Sequence, residues 1–329
     1  MHCIIRLRAA TIATLLVLVE IGSARASETR LRVNVFANPQ NIALYAAREK
    51  GFFARRGLAV EIGFTPNSRA QRSGLVQGAF EIAQAAVDNA VALVEVEKAD
   101  VVIVAGGSDG LNELMVRPEI NSYADIRGRA VVVDQPDTAY ALLLYKMLAT
   151  HGLHKGDYTV LPGGDCAARR AAVQPDRGGV AAMMNPPCNF IVRKEGFKSL
   201  GRPTDVVGPY LADGIWVMRP WAQRNSQTLV RYLQAIIEGY RWSAAAANRT
   251  EAAAIVAKYL KVDADVASKS VEAGVGLHGG LTRDAGIDLA GFANTLKLRA
   301  EMMGGDRNAD PQKYLDLSYY GRAMAERSQ

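Results

Sequence analysis

Short apolar runs alternate with helix-patterned segments along most of the chain. From Leu31 onward, each apolar run is followed by a short polar loop and then by apolar positions at helical spacing. This alternation predicts an α/β fold in which a mainly parallel sheet is covered by helices on both faces. The first series has predicted strands at 31–36, 58–64, 80–84 and 101–105, and predicted helices at 41–50, 69–77 and 88–96.

A second series of the same kind begins after a break in the pattern. The Gly-rich residues 106–110 favour a flexible connector, although a glycine cluster can also cradle an anion. An extended segment at 113–116 follows, and a return crossing is predicted at 208–215 before a long amphipathic helix. The second series has predicted strands at 130–133, 158–161 and 179–183, and predicted helices at 137–151, 167–173 and 186–194.

The joint between the first helix and the second strand carries the most distinctive residues. Gly51 and Gly57 permit turns without a Cβ penalty, and Phe52 and Phe53 are placed to cover the helix end. The stretch resembles the Gly-(Phe/Tyr)-Phe-x-x-x-Gly-Leu-x-Val-Glu signature of ABC-transporter substrate-binding proteins of the sulfonate/nitrate/taurine type. That family also includes binders of thiamine-pyrimidine precursors. Residues 125–129, Asp-Ile-Arg-Gly-Arg, are similar to its entry into a second domain.

The resemblance implies a type II periplasmic-binding-protein fold with two lobes and a ligand cleft between them. Lobe 1 is expected at 27–116 and 214–329, and lobe 2 at 117–213, with crossings near 115–118 and 207–213. It also implies a monomeric solute-binding component that closes over a small organic solute and delivers it to ABC permease membrane subunits. The residues after 241 are predicted to be mainly helical and carry no diagnostic motif.

The N-terminal residues are typical of an exported protein. Arg6 and Arg8 precede a mostly apolar run, and Ala24-Arg25-Ala26 follows it, which predicts a cleavable signal peptide at 1–26 and a periplasmic location. A membrane anchor is the alternative, but it needs about 20 apolar residues, and Glu20 interrupts this run. The net charge of +6 comes from scattered cations without interleaved aromatics, so nucleic-acid binding has little support.

Two cysteines, Cys166 and Cys188, remain after the predicted signal peptide. Both follow predicted strands of one sheet, and an oxidising compartment would allow them to pair. Their spacing does not decide the question, so a disulfide stays an alternative to two free buried thiols, which we favour.

Polar residues follow several predicted strands, where ligands bind in open α/β sheets. Several of them also stand where a helix needs an N-cap, so capping its own helix is the alternative role for each. No Arg or Lys occupies a predicted strand end; Arg69 and Arg169 are the nearest candidates to offset the acidic residues there, and a solvent-facing helix start is the alternative position for both. The residues predicted to bind the solute are Asn38, Asn67, Asp88, Asn89, Thr138, Asn185 and Asp213.

The acidic residues at these strand ends would repel a pure oxyanion. The sequence therefore favours a neutral, zwitterionic or amine-bearing organic solute, with a sulfonate-like solute as an alternative. No metal, redox, hydrolase or nucleotide-binding motif occurs, so no catalytic residue, metal or cofactor is predicted. Alternatives on the same scaffold are a pyrimidine-synthase-like enzyme that uses pyridoxal phosphate, which would need a cleft lysine and a histidine, and a solute-sensing partner of a membrane receptor.

Overall fold

A computed structural model describes residues 28–275 and 280–325, and the predicted signal peptide at 1–26 lies outside these residues. The described chain alternates strands and helices through its first two thirds and is helical after that. The strands are β1 Thr29–Val35, β2 Leu58–Phe64, β3 Ile82–Ala86, β4 Val101–Ser108, β5 Glu113–Val116, β6 Ala130–Val133, β7 Thr159–Pro162, β8 Gly179–Met184, β9 Lys198–Ser199 and β10 Asp213–Met218. The helices are α1 Ile42–Glu49, α2 Ser68–Val76, α3 Val87–Glu95, α4 Ala139–Thr150, α5 Cys166–Ala172, α6 Cys188–Lys194, α7 Thr204–Val207, α8 Arg219–Arg224, α9 Ser226–Ala244, α10 Arg249–Leu260, α11 Ala264–Val275, α12 Leu289–Met303 and α13 Ser318–Ala325.

Two five-stranded sheets form the framework, with strand orders β2-β1-β3-β10-β4 and β7-β6-β8-β5-β9. In the first sheet β1 pairs in parallel with β2 and β3, and β10 is antiparallel to both of its neighbours. The second sheet repeats this arrangement, with β5 as its antiparallel strand. Each sheet is therefore mixed, and all of its strands but one run in the same direction, which confirms the predicted α/β fold class.

The two reversed strands are the ones that follow a crossing between the sheets. β5 comes after β4 of the first sheet and pairs in the second, and β10 makes the return crossing. The predicted limit of lobe 1 at residue 116 is therefore wrong by one strand, because Glu113–Val116 pairs with β8 and β9. The remaining lobe boundaries stay a prediction.

The glycines at 106 and 107 do not form the predicted flexible connector. They belong to β4, where they are buried. A Cβ on Gly106 would lie 2.1 Å from the carbonyl oxygen of Gly286, and one on Gly107 would lie 3.0 Å from that of Asp213. The glycines are needed here because neighbouring backbone segments approach this strand closely.

Both faces of each sheet are covered by apolar side chains of alternating strand residues. In β4, Val102 and Val104 pack toward α9, whereas Val101 and Ile103 pack toward α3 and α12. The helix-to-strand joint has its expected structural role, since Gly51 and Gly57 both have positive φ and Phe53 stacks on Tyr232 of α9, with 5.4 Å between ring centroids.

Cys166 and Cys188 form a disulfide, with 5.8 Å between their Cα atoms. The preference for two free thiols was wrong, because sequence spacing does not show that the first residues of α5 and α6 lie side by side.

Helix α12 packs against both sheet assemblies at once. Phe292 and Leu296 join the core beside α3, and Leu298 joins the core of the second sheet. The Arg299 Nη1 atom donates a 2.8 Å hydrogen bond to Asp88 Oδ2, and both side chains are buried. Burial raises the pKa of Asp88, and the Arg299 guanidinium opposes that rise.

Replacing Arg299 by Met should lower the free energy of unfolding by about 3–5 kcal/mol, because Asp88 would be buried without its cation. The double variant Arg299→Met/Asp88→Asn should recover most of this loss. Urea unfolding at neutral pH measures both.

The control is Lys146→Met, which breaks the ion pair between Lys146 of α4 and Glu301 of α12, a pair with both side chains partly exposed. Its cost should be at most about 1 kcal/mol. Equal stability of the Arg299 single and double variants would contradict a stabilising role for the buried ion pair.

Candidate functional site

A cavity of about 290 Å³ lies between the two sheets, where the carboxyl ends of their strands face each other. The first sheet contributes the loop after β1, the start of α2 and the end of β3. The second sheet contributes the starts of α4, α5 and α6. The polar and charged residues that line the cavity are Asn38, Ser68, Asp134, Thr138, Tyr140, Asp165, Arg169, Arg170, Asn185, Asp213 and Lys261.

Four of the seven predicted solute-binding residues line this one cavity: Asn38, Thr138, Asn185 and Asp213. Asn185 crosses the cleft, since its Nδ2 atom donates a 3.1 Å hydrogen bond to Gln40 Oε1 beside α1. The Asn38 Oδ1 atom accepts a hydrogen bond from Asn41 Nδ2 at 2.9 Å, and Asn38 does not cap the helical turn that follows it. Polar residues after the strands, which are far apart in sequence, thus line one cavity, as expected for the carboxyl ends of strands in open α/β sheets.

The other three predicted residues do not line the cavity. Asn67 is an N-cap, because its Oδ1 atom accepts a 2.8 Å hydrogen bond from the backbone N–H of Ala70. Asp88 is paired with Arg299 behind α3, and Asn89 is buried within the same helix without a hydrogen-bond partner among the described residues. Capping and internal pairing therefore account for two of these three positions.

Asp134 follows β6 and is buried in the cavity wall with three donors around it. Ser68 Oγ donates to Asp134 Oδ2 at 2.5 Å, the Thr138 hydroxyl donates to Oδ1, and the backbone N–H of Gln135 also donates to Oδ1 at 2.7 Å. Ser68 belongs to the first sheet assembly, so this carboxylate joins the two sides of the cleft. Thr138 uses its hydroxyl for Asp134, so it does not cap α4.

The carboxyl of Asp213 lies at the start of β10, where the chain returns to the first sheet. Ser108 Oγ donates a 2.7 Å hydrogen bond to Asp213 Oδ2. Burial raises the pKa of Asp213 to about 6, with a smaller contribution from the neighbouring carboxyl of Asp109, whose own pKa burial raises to about 6. Asp213 is thus mostly ionised at neutral pH and readily protonated in mild acid.

Arg169 lies buried in the cavity wall at 3% exposure. The solvent-facing position that its place at a helix start allowed is therefore wrong. Its Nη1 atom donates a 2.5 Å hydrogen bond to the carbonyl oxygen of Gly164, and its guanidinium lies 5.1 Å from the centroid of the Tyr140 ring. The Nε atom is buried without a hydrogen-bond partner, and Arg169 forms no ion pair among the described residues. The cavity therefore contains a cation with unused donor capacity.

The loop after α10 closes one side of the cavity with Leu260, Lys261 and Val262. Lys261 adopts a left-handed backbone conformation, with φ of 54°, at the end of the helix. This role was not predictable from local sequence, because the segment follows no strand and resembles any exposed helix end. Phe36, Tyr140 and Ile191 add apolar surface to the wall.

A family model described as NMT1/THI5 like matches residues 38–251. The chain belongs to this family. The match runs from the loop after β1 to the first turn of α10 and therefore includes every strand from β2 to β10 and most of the cavity wall. No curated protein matches the chain.

Solved structures with the same fold include several binding proteins. A protein of Bordetella bronchiseptica RB50 is 22% identical with a TM-score of 0.79, covering 92% of this chain and 99% of its own. The periplasmic nitrate-binding protein NrtA of Synechocystis PCC 6803 is 14% identical with a TM-score of 0.76, covering 91% and 89%. The periplasmic aliphatic sulphonate binding protein SsuA of Escherichia coli is 17% identical with a TM-score of 0.69, covering 89% and 99%. These similarities show that this member of the NMT1/THI5-like family has the periplasmic-binding-protein fold.

Within residues 28–275 and 280–325, no helix is both long enough and apolar enough to cross a membrane.

Replacing Asp213 by Asn should stabilise the ligand-free protein more at pH 7.5 than at pH 4. A carboxylic acid whose pKa is raised by folding stabilises the folded state fully at pH values below its unfolded-state pKa, near 3.8. This stabilisation is lost as the pH rises through the folded-state pKa of about 6. The amide has no such loss and can still accept from Ser108. The advantage of the variant should therefore grow by about 2 kcal/mol between the two pH values.

Urea unfolding of both proteins at the two pH values measures this difference. Asp176→Asn changes an exposed carboxylate and serves as the control, because its effect should be the same at both pH values. An Asp213→Asn advantage that does not change with pH would show that Asp213 is not the group responsible.

Proposed function

We propose that this chain is the periplasmic solute-binding component of an ABC importer and that it binds a small organic zwitterion in the cavity between its sheets. The observation that carries the proposal is the buried guanidinium of Arg169, which lines the cavity and lacks a counterion among the described residues. A cavity near 300 Å³ with apolar walls and a few convergent polar groups suits a small molecule. Membership in the NMT1/THI5-like family and the binding proteins among the structural neighbours support the same function.

The anionic group of the solute is assigned to Arg169. A buried charge is costly unless it is paired, and the Arg169 Nε–H meets no protein acceptor among the described residues. Asp134 forms no ion pair with Arg169 there, and its oxygens accept from Ser68, Thr138 and the backbone of Gln135. A carboxylate, sulfonate or similar oxyanion would satisfy the guanidinium with charge-assisted hydrogen bonds.

The cationic group of the solute is assigned to Asp213. Its carboxylate accepts one hydrogen bond, from Ser108, and lines the same cavity. An ammonium group would offset the desolvation that raises its pKa to about 6. Among the solutes that the sequence favoured, a zwitterion fits a cavity lined by both the Arg169 guanidinium and the Asp213 carboxyl better than a neutral molecule does.

Closure of the cleft uses polar contacts between the two sheet assemblies. Gln40 bonds to Asn185, Ser68 to Asp134, and Arg72 Nη2 to Asp137 Oδ2 at 2.8 Å. A solute that touches Arg169 on one side and Asp213 on the other favours the closed arrangement, because both contacts exist together only there. The proposal needs no chemical reaction.

The partners and location follow from this role. We infer that a signal peptide at 1–26 directs the chain to the periplasm, that it acts as a monomer, and that the membrane subunits of an ABC permease receive the solute. No part of the proposal involves nucleic acid.

A pyridoxal-phosphate enzyme on this scaffold has weaker support. Lys50, at the end of α1, and Lys146 of α4 lie on helices near the cleft, but they are paired elsewhere, with Glu251 and Glu301. Lys261 does line the cavity, but no histidine accompanies it among the described lining residues. Pyridoxal phosphate added to the purified protein should therefore produce no new absorbance band.

Native mass spectrometry of the purified chain, followed by calorimetry, tests the binding role. Taurine carries a sulfonate and an ammonium, ethanesulfonate lacks the ammonium, and ethanolamine lacks the sulfonate. We expect zwitterions of this kind, or a co-purifying zwitterion, to bind more tightly than either matched partial probe. Failure of a broad panel of sulfonates, amino acids, amines and pyrimidines to bind folded, ligand-free protein would contradict the proposal.

Replacing Arg169 by Met should weaken binding of a solute with an anionic group by about tenfold to hundredfold, since a charged hydrogen bond is lost. Affinity for ethanolamine should not fall. Isothermal titration calorimetry gives both values.

Two control variants separate the site from general damage. Arg177→Met removes an exposed arginine and should leave affinity unchanged. Asn67→Ala should cost about 1 kcal/mol of stability as a lost cap and also leave affinity unchanged. An Arg169→Met protein that binds anionic solutes normally would show that Arg169 is not their partner.

A further inference from the structure

The disulfide between Cys166 and Cys188 lies beside the cavity and joins the first residues of α5 and α6. Cys166 lines the cavity, whereas Cys188 is fully buried in the core of the second sheet with Val132, Met184 and Val192. The bond thus attaches an element of the cavity wall to a rigid part of the protein.

The other contacts of helix α5 with the core lie toward its C-terminal end, where Arg170 pairs with Glu195 and Ala172 packs against the core. The helix spans only seven residues, Cys166–Ala172, and so short a helix is not stable by itself. Its N-terminus has one side-chain cap, from Asp165 to the backbone N–H of Ala168 at 3.0 Å. Among its residues, only Arg169 is fully buried. At the start of the helix, where the Asp165 cap is the recorded side-chain hydrogen bond, the disulfide adds a covalent tether to the core.

Arg169 lies three positions after Cys166, so both side chains project from the same face of α5. The stem of Arg169 packs on Gly163, where an added Cβ would lie 2.8 Å from Arg169 Cγ. The guanidinium is held between the carbonyl of Gly164 and the ring of Tyr140. These contacts come from the loop before α5 and from α4, and they require α5 to stay at a fixed distance from both.

We infer that the Cys166–Cys188 disulfide is a positioning element for Arg169 and thereby sets the affinity of the cavity for the anionic group of its solute. This rests on the proposed function for the role of the cavity. Without the bond, α5 keeps its cap but loses its covalent attachment to the core. Arg169 is then more mobile in the free protein and must become ordered when the solute binds. Ordering one long side chain and its helix turn weakens binding by about two- to tenfold.

A measurement without solute tests the positioning directly. In ¹H–¹⁵N spectra of arginine Nε–H groups, Arg169 should give an upfield-shifted, slowly exchanging signal, because it lies over the Tyr140 ring and is buried. Arg169→Lys assigns the signal by its loss. We expect the signal to move toward the bulk position and exchange faster in Cys166→Ser/Cys188→Ser and in wild-type protein reduced with a phosphine. An unchanged signal in folded, disulfide-free protein would overturn the inference.

A double-mutant cycle tests the effect on affinity, with taurine as the probe. Removing the disulfide should weaken taurine binding by about two- to tenfold in the Arg169 background and have no further effect in the Arg169→Met background. A purely structural role would lower affinity by the same factor in both backgrounds and would overturn the inference.

The outcomes for the two proposals are separate. If the oxidised wild-type protein binds none of the solutes in the panel, the proposed function fails, yet the Arg169 signal still decides whether the disulfide positions the guanidinium. If taurine binds equally well with and without the disulfide, the binding function stands and the positioning role fails.

Discussion

The buried, unpaired guanidinium of Arg169 is the constraint on which the cavity wall of the second sheet depends. A cation at 3% exposure without a counterion is unfavourable, and the protein offers it a carbonyl and an aromatic face in place of a carboxylate. Asp134 and Asp165 line the same cavity, but their recorded hydrogen bonds are to hydroxyl and backbone donors. A solute that enters the cavity can therefore pair with this charge. The desolvation cost that the folded protein leaves uncompensated then favours binding.

Such a charge must be held in place by groups that are themselves fixed. Gly163 and Gly164 bring the backbone close enough to pack on the stem and accept from Nη1, and only a residue without a Cβ fits at 163. The disulfide connects the helix that carries Arg169 to the core. The second sheet thus supplies a rigid wall, whereas the first sheet supplies Asp213 and the contacts that close over it.

The connections between the sheets determine how the cleft can open. Two reversed strands, β5 and β10, follow the crossings, and α12 spans the same region with apolar residues in both cores. The Asp88–Arg299 ion pair strengthens this third connection. If the cleft opens, the Gln40–Asn185 and Ser68–Asp134 contacts must separate while these three connections bend, as in a hinge motion.

Much of the fold was predictable because it depends on periodicity. Apolar alternation located the central strands, and the glycines and phenylalanines of 51–58 located the first joint. The features that local sequence did not predict depend on contacts between residues distant in sequence. Gly107 is in a strand because the Asp213 backbone packs against it, and the cysteines pair because two helix starts meet. The loop at 260–262 lines the cavity only because α10 packs on α1.

The site was predicted in part, and the physical reason is the competition between capping and ligand binding. A polar residue after a strand caps its helix when a free backbone N–H lies two or three positions ahead, which is the case for Asn67 and Ala70.

Asn185 and Asn38 each precede a proline, and neither caps the helical turn that follows it. The Asn185 amide donates across the cleft to Gln40, and Asn38 accepts from Asn41.

The prolines do not explain this difference from Asn67. A capping side chain accepts from the second or third N–H of its helix, and Asp310, which precedes Pro311, still accepts from the backbone N–H of Gln312. What separates the cavity-lining asparagines from the capping one is therefore the partner that each side chain meets in the folded chain, and local sequence does not show that partner.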